Sequence, residues 1–191
     1  MKRLIKNSLV LVALFTTLLN FGNVKAKETY VTFSNVKKGS LLSLKDEDNQ
    51  IIYKEEIQAE GYYSKKFDFT LLPTGNYYFE LEKDLEINTK PFSVTLEAID
   101  FHEEKSVKFY KPIVSLKGSK VLISQLTLNK KPLDIKLYYE DGIGGFEMIY
   151  ATTLKDKLIL ETILKLSEER TGTYKLILKT ENYKFEEILN L

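Results

Sequence analysis

Apolar and polar residues alternate along most of this chain, the period of two that sends successive side chains to opposite faces of a β-strand. Three runs alternate most cleanly: Leu133 to Glu140, Lys65 to Leu71, and Thr173 to Lys179. The same reading predicts strands at Tyr30 to Val36, Leu41 to Lys45, Ile51 to Ile57, Phe92 to Glu97 and Val107 to Tyr110. It adds Val121 to Leu128, Glu147 to Thr152, Lys157 to Leu166 and Lys184 to Leu189. Turn signals separate them at Lys38-Gly39, Asp46 to Asn49, Glu60-Gly61, Pro73-Thr74-Gly75, Asn129 to Pro132 and Asp141 to Gly145. Many short strands at such spacing predict an all-β sandwich or barrel.

The pattern is written twice. Leu71-Leu72-Pro73-Thr74-Gly75-Asn76-Tyr77-Tyr78-Phe79-Glu80-Leu81 returns as Glu169-Arg170-Thr171-Gly172-Thr173-Tyr174-Lys175-Leu176-Ile177-Leu178. An offset of 97 pairs Tyr77 with Tyr174, Phe79 with Leu176, Leu81 with Leu178, and Ile51-Ile52-Tyr53 with Met148-Ile149-Tyr150. Upstream, with a turn two residues longer in the second copy, Leu42, Leu44 and Asp46 fall against Leu137, Tyr139 and Asp141. Each copy is close to 80 residues long, the size of a seven-strand immunoglobulin-like sandwich. Leu154 to Glu169 also fits helical spacing through Leu158, Ile159, Thr162, Ile163 and Leu166, but strand is the expectation because the first copy has Phe67-Asp68-Phe69 there. Lys111-Pro112 is the expected boundary, since proline cannot continue a ladder. The glycine of each Gly-x-Tyr corner is expected to supply a positive φ. The tyrosine is expected to enter the core, its hydroxyl reaching backbone at the rim.

The first residues read as an export signal. Lys2, Arg3 and Lys6 precede an apolar run from Leu9 to Phe21, and Val24-Lys25-Ala26 offers a cleavage site after Ala26. The run is shorter than the ~20 residues that span a bilayer, so no transmembrane segment is expected after cleavage. The expected organisation is residues 1–26 as signal peptide, 27–111 as the first Ig-like sandwich and 112–191 as the second. Removing the signal takes Lys2, Arg3, Lys6 and Lys25 from the 28 basic residues and none of the 27 acidic ones, leaving a formal charge of about −3. No nucleic-acid partner is expected of such a chain. With no cysteine in the sequence there is no disulfide framework, so the modules rely on their cores.

The runs Ser43 to Tyr53 and Phe67 to Tyr78 resemble the Ig-like C-terminal sorting modules of the type IX secretion system. They are similar as well to small exported proteins of Bacteroidota that carry such a module without a large enzyme in front, and the mid-chain place of the better copy brings the chain nearer to that group. The resemblance implies a β-sandwich and an exported protein of the periplasm, cell surface or extracellular space. It implies no reaction.

Little in the sequence points to chemistry. The one histidine, His102, sits in Asp100-Phe101-His102-Glu103-Glu104, without the further ligands of a zinc site or the neighbours of a hydrolytic triad. Asp46-Glu47-Asp48-Asn49 clusters oxygens but lacks the glycine and distal glutamate of an EF-hand loop. Gly142-Ile143-Gly144-Gly145 opens a strand and precedes no Lys-Ser/Thr, unlike a phosphate loop. No catalytic residue, cofactor or metal is therefore expected, and two small sandwiches leave little room for a deep ligand cleft. Aromatic doublets are the remaining feature, because alternation turns one ring of each outward. Tyr78 and Tyr138 are the expected outward rings, for a protein or glycan surface. The leading expectation is a non-catalytic protein for adhesion, envelope structure or protein interaction, including sheet-edge pairing. A carbohydrate-binding module using those tyrosines is the alternative, and a small hydrolase the third.

Overall fold

The computed structural model describes residues 28–140, 142 and 144–191. The signal segment 1–26 lies outside the described residues, as do Asp141 and Ile143 of the glycine-rich turn. The chain is all-β. Its fifteen described strands are β1 (Glu28–Val36), β2 (Leu41–Asp46), β3 (Ile51–Glu56), β4 (Gly61–Asp68), β5 (Gly75–Glu82), β6 (Glu86–Val94), β7 (Ile99–Phe101) and β8 (Val107–Tyr110), then β9 (Ile113–Lys117), β10 (Lys120–Leu126), β11 (Leu133–Glu140), β12 (Phe146–Leu154), β13 (Ile159–Lys165), β14 (Thr173–Thr180) and β15 (Tyr183–Asn190). A 3-10 turn, Glu103–Lys105, separates β7 from β8. No helix among the described residues is long and apolar enough to cross a membrane.

Every strand pairing is antiparallel, and the sheets fall into a sandwich-like arrangement. In the amino-terminal half β1 pairs β4, and a larger sheet runs β3-β2-β5-β6-β7 with β8 also on β6. In the carboxy-terminal half β13-β10-β9 form one sheet and β12-β11-β14-β15 the other. Two separate clusters of buried residues lie behind these sheets. The first is aromatic: Phe69, Phe79 and Tyr77 all pack on Phe92, with centroids 5.2, 5.5 and 5.7 Å away. The second is aliphatic around Leu133, Ile135, Leu176 and Leu178, with Tyr174 its large ring. Burying each such side chain contributes about 1.5–3 kcal/mol, which is how a chain without disulfides is held.

The registers of the two halves match closely. Tyr77 lies opposite Asp46, Phe79 opposite Leu44 and Leu81 opposite Leu42, while Tyr174 lies opposite Tyr139, Leu176 opposite Leu137 and Leu178 opposite Ile135. Leu44 pairs with Tyr53 and Leu137 with Tyr150, and in both cases the next step skips a residue, Ile52 or Ile149, as a bulge. This corrects the alignment of the sequences: Leu42 and Leu44 correspond to Ile135 and Leu137, not to Leu137 and Tyr139. Nine positions separate Leu44 from Tyr53 and thirteen separate Leu137 from Tyr150, so the second turn is four residues longer rather than two.

Other expectations also need correction. The strand placed at Phe92 to Glu97 runs instead from Glu86 to Val94 with Pro91 inside it. The Pro91 carbonyl accepts from the His102 amide at 2.9 Å, so its missing N–H points the same way, away from β5 and over the gap between β7 and β8. A proline is tolerated there because no ladder bond is lost. The short strand β9 had no expectation, and β7 takes in Asp100 and Phe101, where a solvated loop is the expectation. Gly75 does not adopt a positive φ, whereas Gly172 does, at 145°. The ambiguous segment after Leu154 is a strand, β13, paired along its length with β10.

Candidate functional site

Both corner tyrosines point inward. The Tyr77 hydroxyl donates to the Pro73 carbonyl at 3.0 Å, and the Tyr174 hydroxyl to the Arg170 carbonyl at 2.7 Å, each four residues upstream. Burial pushes both phenols above their ordinary range. These rings serve the fold.

Tyr78 and Tyr138 are half-buried on the outer faces of the two larger sheets. Tyr78 lies opposite Lys45, whose ammonium is 5.9 Å from its ring centre. Tyr138 lies opposite Lys175, 5.6 Å from its ring, and the same ammonium sits 4.0 Å from the Phe146 ring. One cross-strand cation–aromatic pair thus occurs in both halves, with its members exchanged between strands. The two tyrosines do not converge on one site.

Tyr78 instead lines an open cleft of about 860 Å³ at the junction of the halves, together with Asn49, Asn76, Glu80, Tyr183 and Phe185. The volume lies in the range of ligand sites, but the cleft is open rather than deep. Glu80 anchors its floor. This carboxylate is 7% exposed, lies 2.6 Å from the Lys45 ammonium and accepts from the Tyr183 hydroxyl at 3.1 Å. Burying a carboxylate without such partners is costly. Burial first, then the charge of Glu80, pushes the Tyr183 phenol well above its ordinary value. The Tyr78 hydroxyl donates to Oδ1 of Asn49. Phe109 packs on Tyr183 and Phe185 at 4.5 and 6.1 Å, closing one end of the junction.

The acidic turn uses its own oxygens. Oδ1 of Asp46 accepts from the amides of Asp48 and Gln50 at 3.0 and 2.8 Å, which shapes the hairpin end. Nε2 of His102 lies 3.2 Å from the Ser93 hydroxyl, a contact across β6 that the sequence did not reveal. Neither residue lines the junction cleft, and no carboxylate hydrogen-bonds the ring among the described residues.

The feature that sequence reasoning missed is the outer face of β9-β10-β13. Leu122 stands opposite Ile163, Leu126 opposite Ile159, and Ser124 opposite Ile113, all on the side away from the core. Ile113, Ile159 and Ile163 are more than half exposed. Beside them a groove of about 590 Å³ runs to the junction, lined by Leu85, Ile113, Ser124, Leu126 and Ile159. The signal was present as apolar doublets, Val121-Leu122, Ile159-Leu160 and Ile163-Leu164, which load both faces of one sheet.

No protein-family model matches the chain, and no curated protein matches its sequence.

Proposed function

We propose that this is a non-catalytic exported protein of two tandem Ig-like sandwiches, 27–111 and 112–191, and that it acts by binding another protein at the envelope or outside the cell. The Ig-like reading is supported by a sheet order common to both halves, β3-β2-β5-β6 and β12-β11-β14-β15, each opposed by a smaller sheet. It is supported further by the paired tyrosine corners, in which a ring at the start of a strand hydrogen-bonds backbone just upstream. Export and the likeness to type IX sorting modules rest on the residues quoted above for each.

The observation that carries the binding role is the aliphatic outer face of β9-β10-β13. Antiparallel sheets keep one face polar when it meets water, and an apolar solvent face marks an interaction site. Crosslinking and pull-down of the tagged protein from envelope and medium fractions tests this. A crosslinked partner lost on Ile163→Lys is expected, and identical profiles for variant and wild type would sink the reading.

A second reading, carbohydrate binding, is favoured by the junction cleft, where Tyr78 and Tyr183 stand among the amides of Asn49 and Asn76. Signal on a glycan array that Tyr78→Ala abolishes would support it, with Tyr138→Ala reporting on a second surface. A folded protein that gives no signal would dismiss it.

A further inference from the structure

The outer face of β9-β10-β13 is not uniformly apolar. At one end Lys120 stands directly opposite Lys165 on one side and Lys117 on the other, giving three lysines in a single row across three strands. Adjacent strands lie ~4.8 Å apart, and like charges directly opposite one another destabilise a sheet. None of the three makes an ion pair or a side-chain hydrogen bond among the described residues. The carboxylate on this face, Glu161, sits two rows away opposite Ser124 and is paired with none of them.

The corresponding small sheet of the amino-terminal half shows what the fold itself requires. There the outer rows are Glu28 with Asp68, Tyr30 with Lys66 and Thr32 with Ser64, and Lys66 bridges to Glu28 at 2.6 Å, which offsets the one like-charge row of that face. Neither the aliphatic rows nor the unpaired lysine row is therefore needed to build such a sheet. Both occur on the same face, the lysine row at one end of the aliphatic rows and the concave groove at the other, beyond Leu126 and Ile159.

We propose that this face and groove bind a protein segment that presents aliphatic side chains flanked by carboxylates. This deepens the protein-interaction reading and rests on it. The partner's aliphatic side chains cover Leu122, Ile159 and Ile163 and fill the groove at Leu126 and Leu85, while its carboxylates neutralise the lysine row. The attraction relieves a repulsion already present in the free protein, so charge contributes to affinity as well as to encounter rate. A concave groove suits a protruding chain better than a flat bilayer, and a second copy facing this surface would bring a second lysine row to it.

The test is selection of a phage-displayed random peptide library on the purified protein, followed by fluorescence anisotropy of the best peptide. Enriched peptides are expected to carry Asp or Glu next to Leu or Ile. Their affinity is expected to fall at least ~10-fold, which is ~1.4 kcal/mol, in each of Lys120→Glu and Ile163→Lys, with no change in Tyr78→Ala. Both positions face solvent, and a thermal melt verifies that each variant folds. Acid-free peptides insensitive to Lys120→Glu would overturn this inference and leave the protein-interaction reading standing. Retention of no peptide, with crosslinking profiles unchanged by Ile163→Lys, would overturn both. Adsorption to phosphatidylglycerol vesicles that Lys120→Glu abolishes, or self-association that Ile163→Lys abolishes, would overturn it in favour of a membrane or of a second copy.

Discussion

The hydroxyl of Tyr183 donates to Oε2 of Glu80 at 3.1 Å, tying β15 to β5 across 103 positions of sequence. Hydrogen bonds to charged groups contribute about 1.5–3 kcal/mol when well formed. Glu80 keeps its contact with Lys45, so Tyr183→Phe is expected to cost about 1–2 kcal/mol and to lower Tm by several degrees. Differential scanning calorimetry measures it, and an unchanged Tm would show that the bond contributes nothing.

Alkaline pH probes the same contact. Tyr183 and Tyr63 both hold their protons well above the ordinary phenol value, first through burial and then through Glu80 and Glu55 respectively. A phenol whose pKa is raised by folding keeps its full contribution below ~10 and loses it as pH rises from there toward the folded value. Urea midpoints are expected to fall above about pH 10, and Tyr183→Phe is expected to make that fall shallower.

The two corner glycines are not equivalent. A Cβ on Gly172 would demand an L side chain at φ 145° and would lie 3.2 Å from the Tyr139 hydroxyl. On Gly75 it would meet the Tyr77 ring at 3.6 Å, an ordinary contact, with no positive φ. Gly172→Ala is therefore expected to destabilise by ~1 kcal/mol or more, while Gly75→Ala is neutral or slightly stabilising. Equal effects in chemical denaturation would contradict this.

Glu55 clasps the edges of the first pair of sheets. Its carboxylate accepts from Tyr53, Tyr63 and Lys65, joining β3 to β4. Burial opposes its ionisation, yet the hydrogen bonds from Lys65, Tyr53 and Tyr63 prevail and hold its pKa below the ordinary value. A depressed carboxylate contributes above its unfolded pKa of ~4.3 and loses that contribution as pH falls through the folded one. Glu55→Gln is expected to lower stability at neutral pH and to flatten the acid limb below about pH 4, as read from unfolding curves at successive pH values.

Thr180 offers a gain. It is 4% exposed, and its hydroxyl has no hydrogen-bond partner among the described residues. A buried unsatisfied hydroxyl costs about 1–3 kcal/mol, so Thr180→Val, close to it in shape, is expected to raise Tm. A lower Tm would mean that the hydroxyl is satisfied by water.

Strands were legible wherever one face alone was apolar, as in β11 and β14. They were misread where that condition failed. The expected strand began only at Phe92, because the free side of Pro91 cannot be seen without knowing that β7 and β8 part around it. The helical spacing of Leu158 to Leu166 is the trace of a strand apolar on both faces, so the ambiguity itself marked the exposed aliphatic face. The repeat was found at its Gly-x-Tyr corners but slipped by two residues upstream. There Lys45 and Tyr78 answer to Tyr138 and Lys175, two mismatches when compared singly and one match when compared as a pair. The junction cleft was illegible for a simpler reason. Its walls come from Lys45 and Tyr78 on one half and Tyr183 on the other, and only the docking of the two halves brings Tyr183 to the pair.

That docking is bonded at the connection itself. The Lys111 amide donates to the Leu85 carbonyl at 2.9 Å and its ammonium lies 2.8 Å from Glu82, while Nε2 of Gln125 donates to the Tyr110 carbonyl at 3.0 Å. With Tyr183 on Glu80, swinging one half against the other would break links on both sides of the joint. A segment lying in the groove at Leu85 and Ile113 would touch both halves at once, and would add a third bridge to the two that Gln125 and Tyr183 already make.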